Sequence, residues 1–143
     1  MNPALPPVRD QREVDASHLN LLAIFHFVVA GLSVLGVAFL LLHYTIMHTV
    51  FTNPEFFKGQ NTGTMPAELF AAFRWFYAFG ALFFIGFGVL NLVSGLCIRA
   101  RKRRTFSLVV AGANCIQFPF GTALGIFTII VLMRDSVLQA YGE

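Results

Sequence analysis

Three long stretches of the chain carry no Asp, Glu, Lys or Arg: Ala16 to Pro54, Trp75 to Ile98 and Thr105 to Met133. Within them apolar residues are nearly continuous, without the alternation of a half-buried strand or the single stripe of a water-facing helix. About 20 apolar helical residues cross a hydrocarbon core roughly 30 Å thick, so each run is long enough to span a bilayer. The pattern predicts an all-α integral membrane helical bundle.

The first helix is expected over 17–50, with Ser17 as its cap, because a serine hydroxyl can accept from the free backbone N–H groups of the first turn. It exceeds what a bilayer needs, so it tilts or carries His43, Tyr44 and His48 into the outer headgroup region. The second helix is expected over 66–98. Thr64 is its candidate cap, and Pro66 suits a first turn, where its missing N–H is not needed. Arg74, Trp75 and Tyr77 then lie at an interface, where amphipathic side chains are cheapest.

The third run is long for one span and short for two. In its centre, Gln117-Phe118-Pro119-Phe120-Gly121-Thr122 reads as stop, turn and start: proline disfavours helix at Phe118, and Gly121 suits the end of a tight turn. A hairpin turning at Pro119–Gly121 gives helices over 103–118 and 122–135 and four helices in all. The alternative is three spans, with the third kinked at Pro119. A bilayer tolerates the turn only if its backbone is covered. Residues 17–137 then form one transmembrane domain between a mobile cytoplasmic tail, 1–16, and a short tail, 138–143.

Charge sets an orientation. Five of the ten basic residues are Arg99, Arg101, Lys102, Arg103 and Arg104, and a short loop so rich in Lys and Arg is retained in the cytoplasm. The same five are expected to touch lipid headgroups, with no role in nucleic-acid binding. This makes the N-terminus cytoplasmic and puts the loop with Asn53, Pro54, Lys58 and Gly63 on the outer side. The first run is too long for a cleaved signal, and it follows the mixed charges of Arg9, Asp10, Arg12, Glu13 and Asp15. The composition agrees, with 57% hydrophobic and only 12% charged residues; a soluble domain carries about a quarter charged.

Small and polar positions mark helix contacts. Gly88, Asn91 and Gly95 share a face of the second helix, with Ser94 beside them. Asn114 lies at a similar distance from the basic loop as Asn91. The two amides are therefore expected to meet, directly or through Gln117 or a water, because an unpartnered amide in lipid is costly. Gly121 and Gly125 have the small-x-x-x-small spacing that allows close helix approach, within one chain or between copies.

Candidate chemistry is sparse. His26, flanked by Phe25 and Phe27, is an ionisable group inside a span and so a candidate proton carrier or ligand. With Phe84, Asn91, Asn114 and Gln117 it outlines a possible pocket for a flat hydrophobic molecule, a quinone, pigment or lipid, against the bland reading that the 17 phenylalanines are packing and lipid-facing surface. No cofactor is expected. His26 and His43 are about 25 Å apart along one helix at 1.5 Å per residue, so a two-histidine haem site would need a second protomer or another subunit. His18, His43, His48 and Glu55 lack zinc-ligand spacing, so no metal is expected. Cys97 and Cys115 form no motif, and a disulfide between them is not expected in a reducing compartment.

The stretch from His18 to Leu32, HLNLLAIFHFVVAGL, with RRTFSLVVAGANC and PFGTALGIFTIIVLM, resembles a widespread group of uncharacterised small bacterial inner-membrane proteins. That resemblance implies a bacterial origin and a multi-span fold. It implies an acidic residue in many members where this chain has Asn114, and it transfers no catalytic residue. By elimination the expectation is a non-enzymatic accessory or scaffolding subunit, partnered by lipids and by other membrane subunits or itself. The alternatives are a hydrophobic small-molecule binder and, more remotely, an enzyme using the histidines.

Overall fold

The structure, a computed structural model, describes residues 11–53, 55 and 67–142, side chains at 67–70 excepted. The described residues form five helices and no strand: α1 (Gln11–Thr52), α2 (Ala67–Arg99), α3 (Arg104–Asn114), α4 (Phe120–Leu132) and α5 (Asp135–Ala140). Both α1 and α2 are long and apolar enough to cross a membrane. In their most apolar 18-residue windows only 11% and 28% of the residues are buried, which is the reverse of a soluble protein's core helix. Leu32, Val34, Leu35 and Phe39 on α1, and Phe76, Phe79 and Leu82 on α2, are each more than half exposed.

The chain divides into two compact units, Ala30–Val89 and Met1–Val29 with Leu90–Glu143. In the first, α1 and α2 pair antiparallel. A Cβ built on Gly88 would fall 2.9 Å from the Cβ of Ser33, one on Gly36 would fall 2.8 Å from the Phe84 ring, and one on Gly80 would fall 3.2 Å from Leu40. Ser33, Gly36, Leu40 and His43 advance by three, four and three residues while their partners step back along α2. This is the spacing of a heptad seam.

The second unit holds the beginning of α1, the end of α2, and α3 to α5. Its core is Leu19, Leu22, Ala23, Ile98, Leu124, Val131, Leu132 and Val137. The α2–α3 connection closes with a Schellman pattern: Lys102 N–H donates to the Cys97 carbonyl at 2.9 Å and Arg101 N–H to that of Ile98 at 3.1 Å. Arg101 takes the left-handed position, φ 51°, that glycine usually fills. α3 and α4 then fold back on each other as an antiparallel hairpin.

Several boundaries differ from the sequence reading. α1 starts at Gln11, so Ser17 lies inside a helix and caps nothing, and residues 11–16 belong to the fold and not to a mobile tail. Burial and pairing of Asp15 carry the helix past the apolar run: Arg134 Nη1 donates to Asp15 Oδ1 at 3.2 Å, and Gln11 Nε2 donates to the same oxygen at 3.4 Å. α3 ends at Asn114, not 118, and the turn occupies 115–119, not 119–121. Pro119 has no N–H for the carbonyl four residues back, that of Cys115. Thr122 Oγ1 donates to it instead, at 2.8 Å, so Thr122 serves the end of α3 from within α4. α4 begins at Phe120 and stops at Leu132, because Arg134 is extended (φ −71°, ψ 138°); the first residues of the expected tail, 138–140, are the end of α5. Thr64, Pro66, Lys58 and Gly63, with the expectations attached to them, lie outside the described residues.

The Asp15 contacts carry a pH dependence. The nearby Ser136 hydroxyl is the largest influence lowering the Asp15 pKa; burial opposes it, and Arg134 and Gln11 add to the lowering. A depressed carboxylate stabilises the fold above the ordinary value of 3.8, and that stability is lost as pH falls through the folded value. Asp15→Asn is expected to cost roughly 1–3 kcal/mol at neutral pH. It should also flatten the acid limb of a thermal-unfolding profile recorded between pH 7 and pH 3; an unchanged acid limb would refute the role of this carboxylate.

Candidate functional site

Two polar places stand out on these helices, one in each unit. In the unit with the hairpin, Asn91 and Asn114 are fully buried, and their amides bond reciprocally. Asn91 Nδ2 donates to Asn114 Oδ1 at 3.1 Å, and Asn114 Nδ2 donates to Asn91 Oδ1 at 2.9 Å. Each primary amide satisfies the other's donor and acceptor with no ligand between them. Gly125 packs α4 on α3 at Ala111 and Cys115, and a Cβ on Gly121 would lie 2.6 Å from the Asn114 carbonyl oxygen. The small-x-x-x-small pair thus makes an intramolecular contact. Gly95 lies against Phe27 and the Ala23 carbonyl.

His26 is fully buried in this unit. Its Nδ1 lies 3.0 Å from the Leu22 carbonyl oxygen, and because a carbonyl only accepts, Nδ1 carries the proton. Among the described residues no partner reaches Nε2. The other proposed pocket members are dispersed: Gln117 sits in the α3–α4 turn beside Gly121, and Phe84 covers Gly36 in the other unit.

Of the basic cluster, Arg99, Arg101, Lys102 and Arg103 are exposed, whereas Arg104 is half-buried. Arg104 Nε donates to the Leu132 carbonyl at 2.8 Å, so this guanidinium is drawn to the end of α4, where a cation complements the helix dipole. Tyr141 packs against the core. Its pKa is pushed up to about 12, mainly by burial and then by Cys97, against a lowering by Arg101 and Arg104.

The second place is a cavity of about 170 Å³ between α1 and α2 in the Ala30–Val89 unit. Its wall is aromatic: Tyr44, Phe51, Phe73 and Tyr77, completed by His43, Met47 and His48. His43 Nδ1 and the Tyr77 hydroxyl form a 2.5 Å hydrogen bond. Phe39 stacks on His43 with centroids 5.9 Å apart, and Tyr44 meets Tyr77 edge-on at 5.3 Å. The residue types were visible in the sequence as interfacial aromatics. Their convergence follows from the pairing register that sets His43 opposite Tyr77.

Taken together, these features define a class: an all-helical protein with two helices long and apolar enough to cross a membrane and little polar chemistry between them. No family model matches the chain, and no curated protein or solved structure matches it either.

Proposed function

We propose that the protein is a non-enzymatic integral membrane protein of the bacterial inner membrane, an accessory or scaffolding subunit that packs its helices against a larger complex. The observation that carries this reading is the apolar, largely exposed surface of α1 and α2. Such a surface in water would be a severe aggregation liability; in a membrane it is what lipid and neighbouring helices cover. Several polar groups within the runs are turned inward, among them His26, Ser33, Asn91 and Ser94, and others are returned to the backbone. Thr45, Thr49 and Thr52 each donate their hydroxyl to the carbonyl four residues before, at 2.6 to 2.9 Å.

The hairpin fits this setting as a membrane-dipping element. With 11 and 13 residues, α3 and α4 are about 16 and 20 Å long, short of a 30 Å core. Their connecting turn and the first residue of α4 present Ile116, Phe118 and Phe120 at 85 to 88% exposure, while Arg104 and Arg134 mark the opposite end. The turn's backbone is largely self-satisfied, since the N–H groups of residues 115–118 all donate to nearby carbonyls. That is the condition for irregular backbone to enter hydrocarbon. The hairpin enters from the basic, cytoplasmic side, so the N-terminus is cytoplasmic too.

Purification from the native host through a C-terminal tag in mild detergent tests the subunit reading. A stoichiometric larger membrane partner is the expected result; a pure, self-associated protein would reject it. A second reading, a binder of a hydrophobic small molecule, is favoured by the aromatic cavity.

A further inference from the structure

We propose that the cavity between His43 and Tyr77 holds the ring of a lipid-soluble quinone, one ring carbonyl accepting the proton that the His43–Tyr77 pair does not use internally. The inference rests on the membrane reading, which supplies such a ligand from the bilayer.

Size comes first. An apolar cavity of roughly 150 Å³ takes one benzene, so about 170 Å³ suits a single substituted six-membered ring and excludes a tetrapyrrole. The wall chemistry selects a neutral, flat molecule. Four aromatic rings supply stacking surface, and among the described residues no carboxylate, lysine or arginine lines the cavity to compensate a charge.

The polar pair then narrows the class. A neutral imidazole and a phenol carry two exchangeable protons, and one of them lies in the 2.5 Å bond. If the phenol donates to Nδ1, Nε2–H is left as a donor; if Nδ1–H donates to the phenol oxygen, the phenol O–H is left. Either tautomer offers one donor from a lining residue. A ring bearing a carbonyl answers that donor, whereas a plain hydrocarbon ring or an alkyl chain would leave it unpaired at a cost. The opening is also suited to a tail. Phe73 lines the cavity while remaining 44% exposed, and Phe76 and Ile46 beside it are exposed as well, so an isoprenoid chain can leave along apolar surface.

This assigns quinone binding to a different place from the residues suggested by the sequence. His26, Asn91 and Asn114 are fully buried and do not line this cavity.

The test is a calorimetric titration of the full-length protein in quinone-free phosphatidylcholine nanodiscs with a short-chain alkyl benzoquinone, empty discs being subtracted. Saturable binding of one ring per chain is expected. The double variant His43→Phe/Tyr77→Phe keeps an aromatic wall and removes both candidate donors; it should weaken binding about tenfold while leaving the melting temperature near that of the wild type. Val109→Ala, an exposed α3 position that does not line the cavity, should leave binding unchanged. Uptake indistinguishable from empty discs overturns the proposal, as does wild-type affinity in the His43→Phe/Tyr77→Phe double variant. Tight Cu(I) binding abolished by Met47→Leu, with no saturable quinone uptake, would assign the cavity to a soft metal instead. Extraction of native membranes with alkaline carbonate separates the two readings. Protein that stays in the membrane but binds no quinone defeats the cavity proposal alone, whereas protein released by carbonate defeats the membrane reading beneath it.

Discussion

Gly125→Ala is expected to destabilise the protein by about 3 kcal/mol, at the upper end of what overpacking a tight contact costs. A Cβ built at this position runs into the Ala111 carbonyl oxygen, and it would lie 2.5 Å from Cys115 Sγ and 3.0 Å from the Cys115 backbone nitrogen. Two of those three atoms are backbone, in α3 and at its C-cap, and have no rotamer by which to retreat. The helices would have to separate, and Arg104 would lose its reach to the Leu132 carbonyl. Gly112→Ala provides the internal comparison, because nothing lies within 4 Å of a Cβ there. In that open position alanine should be neutral or stabilising by up to about 1 kcal/mol through its higher helix propensity. The same chemical change, 13 positions apart, is thus expected to have opposite signs. Reversible unfolding in detergent, followed by far-ultraviolet circular dichroism, measures both. Equal effects would mean that α3 and α4 do not pack as described, and a changed oligomeric state with unchanged stability would move the Gly121/Gly125 contact to an interface between copies.

Breaking the amide pair should have the next largest effect. Asn91→Leu removes one partner and leaves the Asn114 amide buried with both a donor and an acceptor unmet, a loss of roughly 1–3 kcal/mol. Asn114→Leu should cost a similar amount. The double replacement removes both polar groups, so its cost should fall well below the sum of the single ones. Hydrogen bonds between membrane helices average about 0.6 kcal/mol in such cycles and reach about 1.7. The reciprocal geometry, with bonds of 3.1 and 2.9 Å and both residues fully buried, puts this coupling at the upper end, above about 1 kcal/mol. Strict additivity of the two single variants would show that the amides do not interact.

Both predictions concern positions whose chemistry is visible before folding. Glycines at helical spacing, and two amides at matched depth from a basic loop, are local patterns. That α1 and α2 are long apolar helices is legible for the same reason, since a charge-free run is local, although the start of α1 is not. The hairpin is legible only in part. Proline announces a turn, but the turn falls before it, because the bond lost at Pro119 is the one to Cys115.

What only the tertiary structure decided depends on pairs distant in the chain. Asp15 is a surface charge by sequence; Arg134, 119 residues later, makes it a buried anchor and lengthens α1. Arg104 belongs by composition to a lipid-facing cluster, yet the carbonyl of Leu132 draws it into the hairpin. His43, Tyr44 and Tyr77 carry the marks of interfacial aromatics, and a cavity forms among them because the seam through Ser33, Gly36 and Leu40 fixes the register at their end of the helices. Composition and periodicity determined the apolar helices, since a long charge-free run is a property of each segment. The polar contacts and the cavity were decided by register between segments, which no single stretch of sequence contains.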